Sequence, residues 1–174
     1  TIGKDNAMSK RIVIRRLGGP EVLETEGYEP PQPGPGEALL RQTAIGLNYI
    51  DTYFRSGLYP SPTGLPFTPG NEAAGIVEAV GEGVGEVKVG QRVAYAGALG
   101  AYAERRVVPA RVLVPLPDSV SDEQAAAMML KGMTAQYLLR QTYVVKPGDT
   151  ILFHAAAGGV GLIACQWAKR LGAT

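Results

Sequence analysis

The sequence predicts a mixed α and β protein, in which a β-rich region folded as a small barrel or sandwich is followed by an α/β unit. Three observations carry that expectation. The 23 glycines and 13 prolines among 174 residues concentrate between residues 18 and 100, well above the usual ~12% for the pair, so that stretch must hold many turns and short strands. At Ser121 the composition changes to an alanine-rich run with helical spacing. Near residue 150 an apolar stretch, a glycine-rich turn and an amphipathic run follow one another directly.

Each element has its own reason. TIGKDNA (1–7) precedes Met8 and reads as an appended remnant outside the fold. RIVIRR (11–16), EALLRQTAIGL (37–47), AAGIVEAVG (73–81), QRVAYAG (91–97) and AYAERRVVPARVLVPLP (101–117) carry β-branched, partly alternating patterns between turn-forming segments. Residues 8–120 are therefore expected as one domain, and 121–174 as the first part of another. Ser121 and Gln124 have the spacing of a capping box ahead of AAAMMLKGMTAQYLLRQ. Lys146 to Asp149 form a turn, and Thr150 to His154 an apolar strand at whose end His154 is expected to pack. From Gly158 to Gly161 a helix begins. Its apolar residues Val160, Ile163, Ala164, Trp167, Ala168 and Leu171 recur at three or four, and Gly172 stands where it would end in a left-handed residue.

Bulk composition excludes several classes. With 17 basic and 16 acidic side chains and no basic stripe, the chain is not built as a sequence-independent nucleic-acid binder. One cysteine, Cys165, forms no internal disulfide, which favours the reducing cytoplasm. No apolar run reaches the ~18 residues of a membrane span.

The glycine turn carries the clearest chemistry. Ala156, Gly158 and Gly161 give the spacing A-x-G-x-x-G between a strand pattern and a helix pattern, a near match to a dinucleotide fingerprint. Gly158 would let a pyrophosphate approach the backbone, Gly161 would let the helix lie close, and Ala157, Gly159 and Val160 complete the cofactor-facing turn. A tight turn that binds nothing is the other reading. The residue that separates NAD from NADP lies ~20 positions past such glycines, beyond Thr174, so the motif shows no cofactor preference. These residues are expected to be the front of a longer polypeptide.

Four stretches together, GLNYIDTYFRSGLYP (46–60), PFTPGNEAAGIVEAVGEGV (66–84), KVGQRVAY (88–95) and LKGMTAQYLL with FHAAAGGVGLIACQWAKRLGA (130–139, 153–173), strongly resemble the quinone oxidoreductases of the medium-chain dehydrogenase/reductase superfamily. The resemblance spans residues 9–174. It implies a chaperonin-10-like catalytic β-barrel followed by the start of a Rossmann α/β cofactor domain. In zinc-dependent alcohol dehydrogenases of that superfamily a cysteine and the histidine of a Gly-His-Glu motif hold the catalytic metal. Here Asn48 and Asn71 fill those places, and neither is a zinc ligand. With one cysteine and one histidine in all, no metal site is expected.

The activity implied is NADPH-dependent reduction of a quinone without metal, in a full-length homodimer. Catalytic candidates are Asn48, Asp51 and Tyr53, neutral donors and a carboxylate beside the nicotinamide; the other readings are a helix cap for Asn48, a first-turn helix charge for Asp51 and packing for Tyr53. Glu72 reads as a buried hydrogen-bonding partner. Lys131 and Thr134 resemble residues lining the cofactor cleft, against a snorkelling lysine and a helix-surface threonine. Reduction of enones or enals is the enzymatic alternative, because an enolate makes similar demands. A non-catalytic, nucleotide-regulated structural or RNA-binding role is the alternative of another class.

Overall fold

The computed structural model describes residues 8–174, so the reading of residues 1–7 lies outside the described residues. Two compact units divide at Ala127 and Met128.

Among the described residues the first unit holds seven strands. β1 (Ser9–Val13) and β2 (Glu24–Tyr28) form an antiparallel pair, and β3 (Glu37–Gly46), β4 (Glu72–Val80), β5 (Arg92–Ala96), β6 (Arg105–Pro109) and β7 (Val114–Pro115) form a sheet in the order β6-β3-β4-β5-β7. Alternation along β3 and β5 sends Ala38, Leu40, Val93 and Tyr95 to one core with Ala73, Val77 and Val108. Removing those side chains from water is the main drive of this fold, at about 25 cal/mol per Å² of apolar surface. β1 and β2 instead carry a charge pair on their exposed face, Glu26 reaching Arg11 at 2.6 Å, and Glu26 also meets Arg15, two residues past the end of β1, at 2.5 Å.

One register places the site. β3 and β4 pair from Ala38↔Val80 to Gly46↔Glu72, with irregularities after Leu39 and Gln42. The last pair brings the start of β4 against the end of β3, two residues before Asn48. There α1 (Tyr49–Ser56) begins, with Asn48 as its N-cap in extended backbone.

α2 (Asp122–Tyr137) opens as the sequence expects: the Ser121 hydroxyl accepts from the Gln124 N–H at 3.2 Å, and the Gln124 side chain accepts from the Ser121 N–H at 3.0 Å. Its end widens into a π-helical turn at Leu138–Thr142, where the sequence reads continued helix. In the second unit α3 (Gly159–Arg170) buries Ala164 and Ala168 against Ala135, Leu139 and Val145. Gly172 follows at φ +90°, the left-handed terminus expected of it.

The expected strand at Thr150 to His154 does not form. Residues 151–153 have no strand partner among the described residues, Leu152 is 86% exposed, and His154 is exposed rather than packed. A buried parallel strand exists through its neighbours, and β-propensity alone supplies none. Ile151 N–H instead bonds the Thr174 carbonyl at 2.9 Å, and Thr174 N–H returns to Asp149 at 2.8 Å.

Candidate active site

At the joined ends of β3 and β4 five side chains close a polar network. The Asp51 carboxylate is its centre: it accepts from the Asn48 N–H at 3.0 Å, the Asn71 amide at 2.7 Å and the Tyr102 hydroxyl at 2.9 Å. The Asn48 amide donates to Glu72 at 2.6 Å. Asn48, Asp51, Asn71 and Glu72 are all buried, Glu72 completely. Buried carboxylates need such donors, because a buried acceptor left unmet costs several times what a met one contributes.

The backbone supports the network closely. Gly70, at φ +95°, runs against the Tyr102 ring, where a Cβ would stand 2.3 Å from a ring carbon. Tyr102 N–H bonds the Pro69 carbonyl at 2.9 Å, and Gly97 N–H bonds that of Asn71 at 2.8 Å. Burial, and then the negative charge of Asp51, push the Tyr102 phenol far above its ordinary value, so it remains a proton donor.

A cavity of about 400 Å³ opens beside this network, lined by Asn48, Asp51, Thr52, Tyr102 and the apolar Leu47 and Tyr49. Tyr53 is on the same helix but not on this wall. Its ring packs between Tyr49 (5.6 Å) and Tyr59 (5.3 Å), so Tyr49 joins the cavity to Tyr53. Asn48 and Asp51 are thus brought together, and Tyr53 belongs to the adjoining aromatic cluster. Tyr102 was missed in the sequence because nothing local marks a residue 51 positions from its partner. Asn71 was visible as a replaced ligand, and its bond to Asp51 was not.

In the second unit the turn before α3 is tight. A Cβ on Gly161 would lie 2.5 Å from the Ala156 carbonyl oxygen and 2.6 Å from that of Ala155. That is the close approach of helix to turn which the spacing demands. Ala155 itself has φ +54°, a strained value for a residue with a side chain. Ala157, Gly158 and Gly159 are exposed, Val160 is half-buried and Gly161 is buried. Lys131 lays its stem against Gly159, and the Thr134 hydroxyl donates to the Leu130 carbonyl at 2.8 Å. An exposed glycine turn on a helix N-terminus, beside a lysine, fits a dinucleotide phosphate. Among the described residues no cluster of three histidine, cysteine, aspartate or glutamate side chains could hold a metal ion, and no helix is long and apolar enough to cross a membrane.

Comparison with known proteins agrees with this architecture. Residues 34–118 match the family model of the alcohol dehydrogenase GroES-like domain. A quinone oxidoreductase of Pseudomonas aeruginosa is 64% identical over 166 residues, covering 95% of this chain and 51% of that protein. A 2-haloacrylate reductase of a Burkholderia species is 50% identical over 96% of this chain and 52% of its own length. The crystal structure of Escherichia coli quinone oxidoreductase complexed with NADPH superposes with a TM-score of 0.92 at 55% identity, over 95% of this chain and 51% of that one. The chain spans about half the length of the curated relatives it matches.

Proposed function

We propose, for a chain that belongs to the medium-chain dehydrogenase/reductase superfamily, the reduction of quinones with NADPH and without a metal ion. One observation carries the metal-free part of this reading. Where zinc-dependent members of the superfamily hold their metal, Asn48 and Asn71 stand as buried amides, each donating to a carboxylate. Such a site is organised to give hydrogen bonds, and a quinone needs little more. Its reduced oxygen is phenol-like, with a pKa of about 10, so placed donors can stabilise the charge that develops there without a Lewis acid.

The roles divide as follows. Glu72 aims the Asn48 amide, and Asp51 fixes the Asn48 backbone and Asn71. Asn48 presents a donor at the cavity wall, and Tyr53 a second across the aromatic cluster. In the second unit Ala157 to Gly161 and the first turn of α3 would receive the pyrophosphate, with Lys131 supplying positive charge and Thr134 a hydroxyl. NADPH, when bound, supplies the reducing equivalents. The boundary near residue 120, a whole-length homodimer and a cytoplasmic location belong to the same reading. Similarity to a 2-haloacrylate reductase favours, as second reading, an activated carbon–carbon double bond as acceptor, since an enolate asks for the same donors.

Two measurements test the proposal. NADPH fluorescence titration and quinone turnover should be compared between this chain and a polypeptide of the relatives' full length. The longer protein is expected to bind at micromolar concentration and turn over, and the 174-residue chain to bind no tighter than about millimolar, near −4 kcal/mol; micromolar binding by the short chain would contradict this. In the longer protein Tyr53→Phe should lower turnover ~10 to 100-fold. Unchanged kinetics in a folded variant would leave Tyr53 a packing residue.

A further inference from the structure

Asp51 is buried yet stands on the wall of the cavity beside Asn48, so its charge acts on the space where an acceptor would be reduced. Among the described residues no cation lies within ion-pair distance of it, although Arg55 is on the same wall. Three neutral donors meet the charge instead. The Asn71 amide takes one oxygen at 2.7 Å, and the Asn48 N–H, at 3.0 Å, shares the other with the Tyr102 hydroxyl, at 2.9 Å. Tyr102 is firmly seated for this. Its N–H bonds the Pro69 carbonyl at 2.9 Å, its carbonyl accepts from the Ile12 N–H at 2.8 Å, and the Gln42 amide holds the carbonyl of Ala101, just before it, at 2.8 Å.

A carboxylate on that wall works against the reduction. A quinone is neutral when it binds and gains negative charge as it is reduced, so a nearby carboxylate opposes the second state and not the first. A hydrogen bond donated to the carboxylate draws charge out of it, and does so most effectively where water is excluded. We propose that Tyr102 is a positioning residue for the reduction: by donating to Asp51 it withdraws part of that carboxylate's charge from the acceptor and holds the oxygen on which the Asn48 backbone rests. The proposal rests on the quinone reading of this site. The Tyr102 hydroxyl is committed to Asp51 and acts on the acceptor only through it. Burial and the Asp51 charge hold the phenol far above its ordinary value, so the donation persists at every pH at which the protein would work.

In a polypeptide of the relatives' full length, Tyr102→Phe should lower kcat for benzoquinone about tenfold, the scale of one hydrogen bond to a charged group, and leave KM within about twofold. In an Asp51→Asn background, where there is no charge to withdraw, the same substitution should change kcat by less than about twofold. A further readout needs no turnover. Tyr102→Phe keeps the ring and removes one of the two donors on the shared oxygen, so in the 174-residue chain the Asn48 N–H should bond that oxygen more strongly and its proton resonance should move downfield. A raised KM with kcat kept, an equal loss of kcat in both backgrounds, or an unmoved Asn48 resonance would each overturn the assignment. Absence of quinone turnover in the unaltered long protein would instead overturn the quinone reading, and the Asn48 resonance would still decide whether Tyr102 holds Asp51.

Discussion

β3 and the segment at residues 150–154 have similar β-branched and apolar character, and only one of them is a strand. β3 pairs with β4 on one side and β6 on the other, and its Leu40 is fully buried. Residues 151–153 find no such neighbours among the described residues, and Leu152 stays exposed. The difference teaches that apolar pattern specifies where a strand can go, whereas pairing decides whether it exists. The first unit supplies its own pairing, and the second holds itself together through helix packing around Ala135, Leu139, Ala164 and Ala168.

The largest effect that could break this contrast is in the cores. Leu40→Ala should destabilise the first unit by ~2–5 kcal/mol, while Leu152→Ala should change stability by less than ~0.5 kcal/mol. Denaturant unfolding read by amide exchange, unit by unit, measures both; comparable losses would mean that Leu152 is buried in solution. Next comes the glycine turn. Gly161→Ala drives a methyl group into two carbonyl oxygens and should loosen α3 by ~1–3 kcal/mol. Gly159→Ala meets only the flexible Lys131 stem, 2.7 Å away, and should stay within ~0.5 kcal/mol of neutral. Exchange rates in α3 are the measure, and equal damage from both would remove the fingerprint's packing rationale.

The smallest effect concerns acid. The Thr43 hydroxyl, and then Arg92, hold the Asp122 carboxyl below its ordinary value of 3.8. A depressed folded value adds stability that is fully present above the unfolded value and is lost as pH falls through the folded one. Asp122→Asn should therefore remove up to ~1 kcal/mol at neutral pH and flatten the decline below about pH 4. Amide exchange in β3 and β5, which carry Thr43 and Arg92, would report it. An unchanged acid profile would show that the pair contributes nothing to folding.

Legibility in the sequence follows the same physics. β3, β4 and β5 were readable because apolar and β-branched residues run along them between turn-forming segments, and the folded sheet buries them, on both faces where Ala73 and Ala74 or Val93, Ala94 and Tyr95 follow one another. β2 was not, since ETEGY is polar, contains a glycine and lies in a two-stranded pair with an exposed, charged face. The helix start at Ser121 and stop at Gly172 were readable because caps are local chemistry. The stretch 101–117 looked continuous, yet a 3₁₀ turn at Ala110–Val112 divides β6 from β7. Within the site, Asn48 and Asp51 were legible as an N-cap and the third residue of its helix, three positions apart. Tyr102 was not, because only the folded chain carries it to Asp51.

The hydrogen bonds that begin at Arg106 form a row with a direction. The guanidinium donates to the Tyr95 oxygen at 3.2 Å, the Tyr95 hydroxyl donates to the Gln42 carbonyl oxygen at 2.6 Å, and the Gln42 amide donates to the carbonyls of Ala101, at 2.8 Å, and Ala103. All the protons in this row point the same way, from a fixed charge toward the backbone just before and after Tyr102. Such a row polarises along its length, and it admits one orientation only, because turning the Gln42 amide around would set donor against donor and acceptor against acceptor. Three side chains from three strands thus act as one oriented dipole. Cutting it at Tyr95 or at Gln42 should remove the same thing, so the two losses together should fall short of their sum.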